Sequence, residues 1–356
     1  MIRLLIVDDS ALIRKLLGEI FARAGGFEVR VARDGLAALE LNRSFAPDVV
    51  TLDIDMPRMD GLACLDRLML ERPCPVIMVS SHTAAGTEAT LRAFELGAVD
   101  VVSKPGGVVS LHLEEWAPQL VEKVRGAALA KVRSSTRLRE RVRQRIGAAL
   151  AVAPAPPVPV ARPMAEGDGL VLVGASTGGP PALEALLTAL PASFPWPILV
   201  AQHMPASFTA ALARRLDKLC ALAVAEVRQP VPLQPGTVYI GAGDADLIVS
   251  RRAGALVAMA APAAPELLWH PSADRLVASA MEHVAPARIV GILMTGMGND
   301  GATAMTELQA RGGHTIAEAE ESAIVWGMPG ELVKAGGAEW VVPLRDIAAR
   351  LQKMVP

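Results

Sequence analysis

The sequence predicts an α/β protein with two domains, and three observations support this fold class. The chain has 356 residues, which is longer than a single hydrophobic core usually organises. Short apolar runs alternate five times with amphipathic helical stretches over residues 1–125, a pattern typical of a parallel sheet with helices on both faces. A second set of apolar runs begins at Leu170, after a proline-rich stretch. We therefore divide the chain into residues 1–125, 126–169 and 170–356.

Composition and charge exclude several classes of protein. Hydrophobic residues make up 52% of the chain, which indicates a globular protein. A net charge of -2, with one Tyr and six Phe, offers neither attraction for nucleic acid nor rings on which bases stack. Cys64, Cys74 and Cys220 are scattered, which argues against disulfides and a zinc site. No signal peptide and no apolar run of about 18 residues is present, so we expect a cytoplasmic protein that is not inserted in a membrane.

Polar residues of the first segment lie where its predicted strands end. Asp8 and Asp9 follow the first strand, Asp53 closes the third, Ser80 follows the fourth and Lys104 follows the fifth. The carboxyl ends of parallel strands meet at one edge of a sheet. Three carboxylates there repel one another unless a cation joins them, and oxygen ligands suit Mg²⁺. Each residue alone is more often a helix cap or a solvated side chain, but five of them at four strand ends favour a site.

The first segment resembles a response-regulator receiver domain, which has a flavodoxin-like fold. The residues that carry the resemblance are Asp8-Asp9, the D-x-D-M-P-x-M-D-G block from Asp53 to Gly61, Ser80 and Lys104-Pro105. The resemblance also implies a cis peptide bond before Pro105. Val101 and Val102 stand where many receivers carry an aromatic switch residue, which argues against an aromatic switch here.

The receiver resemblance implies a role for each of these residues. Asp53 would be the phosphoacceptor, and it would bind Mg²⁺ together with Asp8 and Asp9. Ser80 and Lys104 would contact the phosphoryl group. The implied phosphodonor is a chemotaxis histidine kinase.

Residues 126–169 are predicted to form a basic helix and a proline-rich linker. Nine Lys or Arg residues occur from Lys123 to Arg145, and apolar residues recur at i, i+4 spacing from Leu138 to Leu150. A solvated face is the favoured interpretation of this helix, and a docking surface for an acidic partner is the alternative. The stretch from Ala153 to Pro159 cannot propagate a helix and is predicted to be an extended spacer.

The third segment opens with an apolar run that stops at Ser176 and is followed by glycines and a helical pattern. Ser176 therefore lies at a strand-to-helix corner, and Gly174 and Gly178 complete the G-x-S-x-G pattern of a nucleophile elbow. Amide groups at the start of the helix favour negative charge. The same corner also suits a phosphate-binding turn, so the serine needs partners before it is interpreted as a nucleophile.

His203 and Asp300 follow apolar runs as Ser176 does. A serine hydroxyl becomes a good nucleophile when a base removes its proton and a carboxylate orients that base. His203 and Asp300 are the candidates for these two roles, and His270 is the one rival base. The chain order Ser, His, Asp differs from the Ser, Asp, His order of α/β-hydrolases, which disfavours that fold.

The two segments together resemble the CheB-type chemotaxis protein-glutamate methylesterases. The motifs that carry the resemblance are Gly174 to Gly179, Gln202 to Pro205, His270 to Asp274, Met294 to Gly301 and Trp326 to Pro329. It implies Ser176 as the nucleophile, His203 as general base and then acid, and Asp300 as its orienter. It also implies a doubly wound, mainly parallel sheet with an antiparallel hairpin from Val238 to Leu256. Glu318 stands where a glutamine is common.

This resemblance implies the hydrolysis of glutamate methyl esters on the cytoplasmic helices of chemoreceptors, with release of methanol and a role in chemotaxis adaptation. Deamidation of glutamines is the implied second activity. Backbone amides at Thr177 and Met297 are candidates for an oxyanion hole. We expect no cofactor for ester hydrolysis, Mg²⁺ for receiver phosphorylation, and a monomer.

Two alternatives stay open from the residues alone. One is a receiver-linked binding module without catalysis, in which the Ser176 corner holds a phosphate or a nucleotide. The other is a transcriptional output suggested by the basic linker, against which the lack of a helix-turn-helix pattern counts. Under the enzyme hypothesis, we expect the linker to hold the strand-end rims of the two domains face to face, so that the unphosphorylated receiver covers Ser176.

Overall fold

The computed structural model describes residues 1–80, 84–104, 113–131 and 169–355. It contains two parallel sheets flanked by helices, which confirms the predicted α/β class. In the described ranges, no helix is both long and apolar enough to cross a membrane. The part of the predicted basic helix after Lys131, the proline-rich spacer and the peptide bond before Pro105 lie outside the described residues.

The first domain is a five-stranded parallel sheet with strand order β2-β1-β3-β4-β5. Its elements are β1 (Ile2–Val7), α1 (Ala11–Ala24), β2 (Phe27–Ala32), α2 (Gly35–Ser44), β3 (Val49–Asp53), α3 (Gly61–Glu71), β4 (Val76–Ser80), α4 (Ala84–Leu96), β5 (Asp100–Ser103) and α5 (Leu113–Ala128). Strands β3, β4 and β5 are buried along their whole length, as strands covered by helices on both faces must be. Ser10, Asp34 and Asp60 cap the three helices that follow β1, β2 and β3.

Helix α5 extends past residue 125, where the sequence places the end of the domain, and continues to Ala128. Val124 and Ala127 are fully buried against the core of the first domain. The last turn of α5 is helical because it completes this apolar face.

The second domain is a seven-stranded parallel sheet with strand order β15-β14-β13-β6-β7-β10-β8 and a separate three-stranded antiparallel sheet. Its strands are β6 (Leu170–Ala175), β7 (Ile198–Gln202), β8 (Ala223–Val227), β9 (Val231–Pro232), β10 (Thr237–Gly241), β11 (Ala245–Arg252), β12 (Ala255–Pro262), β13 (Ile289–Leu293), β14 (His314–Glu318) and β15 (Trp340–Val342). Its α-helices are α6 (Gly179–Thr188), α7 (Ala206–Leu219), α8 (Ala273–His283), α9 (Ala302–Ala310), α10 (Met328–Lys334) and α11 (Leu344–Met354).

The antiparallel hairpin is present, but its predicted bounds, Val238 to Leu256, are wrong. Val238 belongs to β10, which pairs in parallel with β7 and β8 inside the large sheet. The hairpin consists of β11 and β12, joined by Ala253 and Gly254, which both have positive φ. Such a two-residue turn matches the right-handed twist of paired strands. The apolar run at Val238 is buried because it lies in the interior of the large sheet.

Candidate active site and phosphorylation site

Ser176 lies directly after β6, and Gly178 begins α6 in a left-handed conformation with φ of 80°. The serine is 1% exposed, and its Oγ has no hydrogen-bond partner. The turn that contains Gly296 packs against it so closely that a Cβ on Gly296 would lie 2.7 Å from the Cβ of Ser176. The strand-to-helix corner predicted from the sequence is therefore present, with an unpaired hydroxyl in a buried position.

His203 follows β7, the strand next to β6. Ala175 and Gln202 are in register, and the amide of His203 donates to the carbonyl of Ala175 at 3.0 Å. Neighbouring strands lie about 4.8 Å apart, so the residue after each strand end faces the other. The Nδ1 of His203 is buried and has no hydrogen-bond partner, as is the case for the Oγ of Ser176. Two buried, unpaired polar atoms therefore lie at the ends of neighbouring strands.

Asp300 binds the other nitrogen of His203, with 2.7 Å between Nε2 and Oδ2. The carboxylate also accepts hydrogen bonds from the amides of Ala273 and Asp274 and from the hydroxyl of Ser272, at 2.6 to 3.1 Å. These groups form the start of α8, where the helix dipole stabilises negative charge. Burial raises the pKa of Asp300, but the hydrogen bonds from His203 and the amides outweigh it, so its pKa lies below the ordinary value. An ionised Asp300 requires the proton on Nε2, which leaves Nδ1 with the free lone pair.

His270, the rival base, is held by a different carboxylate. Its Nδ1 lies 2.9 Å from Asp246, which is fully buried and also accepts from the amide of Ser272 and from Arg275. Burial raises the pKa of Asp246, but the bonds from His270, Ser272 and Arg275 lower it to about 2. Asp246 is not among the predicted site residues, although an aspartate in an apolar strand is a signal visible in the sequence.

Three more residues contact His203 or the chain at Ser176 and Thr177. Trp269 stacks on the His203 ring at 5.7 Å between centroids, with 11° between the planes. Gln202 donates from Nε2 to the carbonyls of Ser176 and His203 at 2.9 and 3.2 Å, so it ties the two strand ends together. The hydroxyl of Thr295 donates to the carbonyl of Thr177 at 2.9 Å. Gln202 could have been selected as a buried polar residue at a strand end, whereas the contacts of Trp269 and Thr295 depend on how loops pack.

The two oxyanion candidates, Thr177 and Met297, belong to two segments that meet at Ser176. Thr177 is the next residue in the chain, and Met297 lies in the turn whose Gly296 packs against the serine. Their roles remain a prediction. The Thr177 side chain is engaged elsewhere, since its hydroxyl donates to Asp100 of the first domain at 2.5 Å.

The predicted phosphorylation site gathers at the carboxyl edge of the first sheet. Oxygen atoms of Asp8, Asp9 and Asp53 lie within 4.8 Å of one another. Lys104 Nζ lies 2.7 Å from Asp53 and 3.0 Å from Asp8. The Lys104 amide donates to the carbonyl of Ser80 at 2.7 Å, which places Ser80 beside the lysine. Three carboxylates offering oxygen donors at this spacing fit Mg²⁺.

Asp53 differs from an ordinary aspartate because it is 1% exposed. Burial raises its pKa to about 6, although the ion pair with Lys104 acts in the opposite direction and the nearby Asp8 adds to the rise. A buried carboxylate beside a second one is costly to ionise without a cation. A bound divalent cation would therefore stabilise the ionised form of Asp53.

Comparisons with known proteins agree with this architecture. A family model described as CheB methylesterase matches residues 171–351, and one described as response regulator receiver domain matches residues 4–114. The chain belongs to the CheB methylesterase family. The predicted resemblance, fold class and enzyme class are thereby confirmed, and a binding module without catalysis and a transcriptional output are set aside.

Similar proteins extend the match to almost the whole chain. Two relatives are named protein-glutamate methylesterase/protein-glutamine glutaminase. The one from Rhodopseudomonas palustris (strain BisB18) is 58% identical over 98% of this chain and 97% of its own length. The one from Rhodospirillum rubrum is 52% identical over 99% of this chain and 95% of its own. The crystal structure of the Thermotoga maritima CheB methylesterase catalytic domain, 34% identical, covers 53% of this chain and 100% of its own, with a TM-score of 0.52.

The receiver of this CheB family member meets the methylesterase domain directly beside Ser176. The amide of Gly178 donates to the carbonyl of Val99 at 2.8 Å, and Thr177 bonds to Asp100. At the other end of β5, the hydroxyls of Ser103 and Ser207 lie 3.2 Å apart. The edge strand β5 of the receiver thus lies along the methylesterase domain.

Helices α4 and α5 extend this contact on either side of β5. Arg215 pairs with Glu95 of α4 at 2.5 Å. On the other side, a Cβ on Gly126 of α5 would lie 2.7 Å from the sulfur of Met297, and Lys123 lies 5.9 Å from the Trp269 ring. The predicted face-to-face arrangement of the two rims is therefore wrong. The rim of the methylesterase domain meets the side of the receiver, through the edge strand β5, the residue before it and the helices α4 and α5.

Proposed function

We propose that this CheB family member hydrolyses glutamate methyl esters on the cytoplasmic segments of chemoreceptors, with Ser176 as nucleophile, His203 as base and Asp300 as orienter. The observation that carries the proposal is the pair of buried, unpaired atoms, Oγ of Ser176 and Nδ1 of His203, at neighbouring strand ends. The bond from Nε2 to Asp300 fixes the ring so that Nδ1 carries the lone pair.

The reaction proceeds in two halves. Nδ1 of His203 takes the proton of Ser176 as Oγ attacks the ester carbonyl carbon, and the bond to the methoxy oxygen then breaks. The leaving oxygen takes the proton from His203 and departs as methanol. Water next gives a proton to His203 and attacks the acyl carbon, the bond to Ser176 breaks, and Oγ recovers the proton. With a glutamine substrate, ammonia leaves in place of methanol.

Electrostatics of the site favour the charged intermediates. Asp300 stabilises the protonated His203 ring, and Trp269 stacks on that ring. Backbone amides at Thr177 and Met297 are the proposed donors to the oxyanion, each worth on the order of 10²-fold in rate. No cofactor is needed for these steps because a base and oriented amides supply the chemistry.

Receiver phosphorylation is the proposed control. Asp53 would accept a phosphoryl group from a chemotaxis histidine kinase, Asp8, Asp9 and Asp53 would hold Mg²⁺, and Lys104 and Ser80 would contact the phosphoryl oxygens. When bound, Mg²⁺ would neutralise the negative charge that develops while the phosphoryl group is transferred to Asp53. The addition of charge beside Lys104 would rearrange the Ser80 side of the receiver, including β5, and loosen its contact with the methylesterase domain. We propose a monomer that acts in the cytoplasm.

Two assays test the proposal. Release of methanol from membranes carrying methylated chemoreceptors should be lost in Ser176→Ala and retained in the control Ser250→Ala, which changes a serine of the antiparallel hairpin. Label from a small phosphodonor should enter the wild-type chain only with Mg²⁺ and should not enter Asp53→Asn. Methanol release by Ser176→Ala at the wild-type rate would contradict Ser176 as the nucleophile. Labelling of Asp53→Asn would contradict Asp53 as the phosphoacceptor.

A further inference from the structure

Glu318 is a buried carboxylate that the steps above do not use. It is the last residue of β14, its exposed fraction is 0%, and it lies beside β13, whose following turn contains Met297. None of the ion pairs in the described ranges includes Glu318, and its side-chain hydrogen bonds there are to uncharged groups. A buried carboxylate without a cation is costly, so its presence calls for a function.

Both side-chain oxygens of Glu318 are engaged. Oε2 accepts from the amide of Thr295 at 2.8 Å, and Oε1 accepts from the hydroxyl of Ser322 at 2.9 Å. The backbone carbonyl of Glu318 accepts from Nε1 of Trp326 at 2.8 Å. The residue therefore connects the turn after β13 to the segment before α10.

Thr295 links Glu318 to the backbone of Ser176, the proposed nucleophile, and of Thr177. Its carbonyl accepts from the amide of Ser176 at 3.0 Å, and its hydroxyl donates to the carbonyl of Thr177 at 2.9 Å. The same hydroxyl oxygen accepts from the amide of Val325 at 3.0 Å. A single residue thus separates the carboxylate of Glu318 from the backbone of Ser176.

We propose that Glu318 is a positioning residue for ester hydrolysis, which holds the amide of Thr295 and thereby fixes the Ser176 corner and the Met297 turn relative to each other. Oxyanion stabilisation depends on donors that are already in place when charge develops. Without the acceptor at Oε2, the amide of Thr295 is no longer held. The Ser176 corner and the Met297 turn then lose their fixed relative position. The inference rests on the proposed role of Ser176.

The positioning role requires a hydrogen-bond acceptor at the end of the Glu318 side chain, and it does not require the negative charge of the carboxylate. A glutamine offers the same carbonyl oxygen to Thr295, and its amide can donate to the Ser322 hydroxyl, whose own proton can turn to the carbonyl of Ala319 at 3.2 Å. Burial raises the pKa of Glu318, and the bonds from Thr295 and Ser322 act in the opposite direction. Glu318→Gln therefore preserves the arrangement, whereas Glu318→Met fills the volume without an acceptor.

The test compares variants of the full chain, activated with a small phosphodonor and Mg²⁺, for methanol release from methylated chemoreceptor membranes. We expect Glu318→Met and Glu318→Ala to lower kcat at least tenfold per folded molecule while KM changes less than twofold, since the fixed donors act on the transition state. Glu318→Gln should stay within twofold of the wild type. The control Glu307→Gln, on the exposed face of α9, should change neither constant.

Four results would overturn the inference: wild-type kcat in both Met and Ala variants, an equal loss in Glu318→Gln, a loss confined to KM, or failure of both Met and Ala variants to fold by circular dichroism. The last would make the role of Glu318 structural. Ser176→Ala is measured in parallel. Activity in that variant would contradict the proposed nucleophile whatever Glu318 does, whereas inactive Ser176→Ala beside fully active Glu318→Met contradicts the positioning role alone.

Discussion

Thr177, the residue after the proposed nucleophile, donates its hydroxyl proton to Asp100 of the receiver at 2.5 Å. Asp100 in turn pairs with Lys123 of α5 at 2.6 Å, and both charged side chains are buried. The receiver is therefore hydrogen-bonded to the residue that follows Ser176, the proposed nucleophile. Ser176 itself is 1% exposed in this two-domain arrangement.

Removal of this contact should activate the unphosphorylated chain. In the double variant Asp100→Leu, Lys123→Met, a buried ion pair is replaced by apolar residues of similar size, so the receiver keeps its core while Thr177 loses its acceptor. A loss of about 1.4 kcal/mol in docking raises a small open population about tenfold. Methanol release without phosphodonor measures the effect, with Glu71→Gln on α3 as control. Unchanged release in the double variant would show that this contact does not restrain the enzyme.

The triad predicts a graded loss of activity. His203→Ala should lower kcat by about 10³-fold or more, because it removes the base. Asp300→Asn should retain more activity, since the ring keeps its stacking on Trp269 and loses only its orienter. His270→Ala should be far less affected, because His270 pairs with Asp246 and not with Asp300. If His270→Ala lost activity and His203→Ala retained it, the general base would be His270 and not His203.

The raised pKa of Asp53, about 6, predicts a pH dependence of stability in the absence of Mg²⁺. The folded chain holds this proton more tightly than the unfolded chain, in which the pKa of aspartate is about 3.9. The free energy of unfolding should therefore fall as pH rises from about 4 through about 6, and Asp53→Asn should remove that fall. Thermal melting in EDTA at several pH values measures it, with Asp244→Asn as control. Identical pH profiles for wild type and Asp53→Asn would contradict the shift.

The methylesterase domain alone should be independent of phosphorylation. A fragment of residues 169–356 lacks β5, α4 and α5, which cover the Ser176 corner in the full chain. Its methanol release should exceed that of the unphosphorylated full chain and should not respond to a phosphodonor. A fragment slower than the unphosphorylated chain would mean that the receiver assists catalysis.

Much of both sites was predictable because parallel strands bring their carboxyl ends to one edge. Asp8, Asp53 and Lys104 are in contact as the alternating pattern indicates, and His203 follows the strand beside that of Ser176. Spacing along the chain could not place the receiver, because the contact of β5 with Thr177 depends on the packing of two complete domains. Asp246 stands out in the sequence as an acid in an apolar strand, but its pairing with His270 depends on how the hairpin packs against the loop before α8.

The most direct test is covalent labelling of the full chain with a fluorophosphonate, followed by peptide mapping, with and without phosphodonor and Mg²⁺. We expect one modified residue, Ser176, no modification in Ser176→Ala, and faster labelling of the phosphorylated chain because the receiver no longer covers the hydroxyl. Modification of another serine, or of Ser176→Ala, would contradict Ser176 as the nucleophile. Equal labelling rates in the two states would contradict control by the receiver.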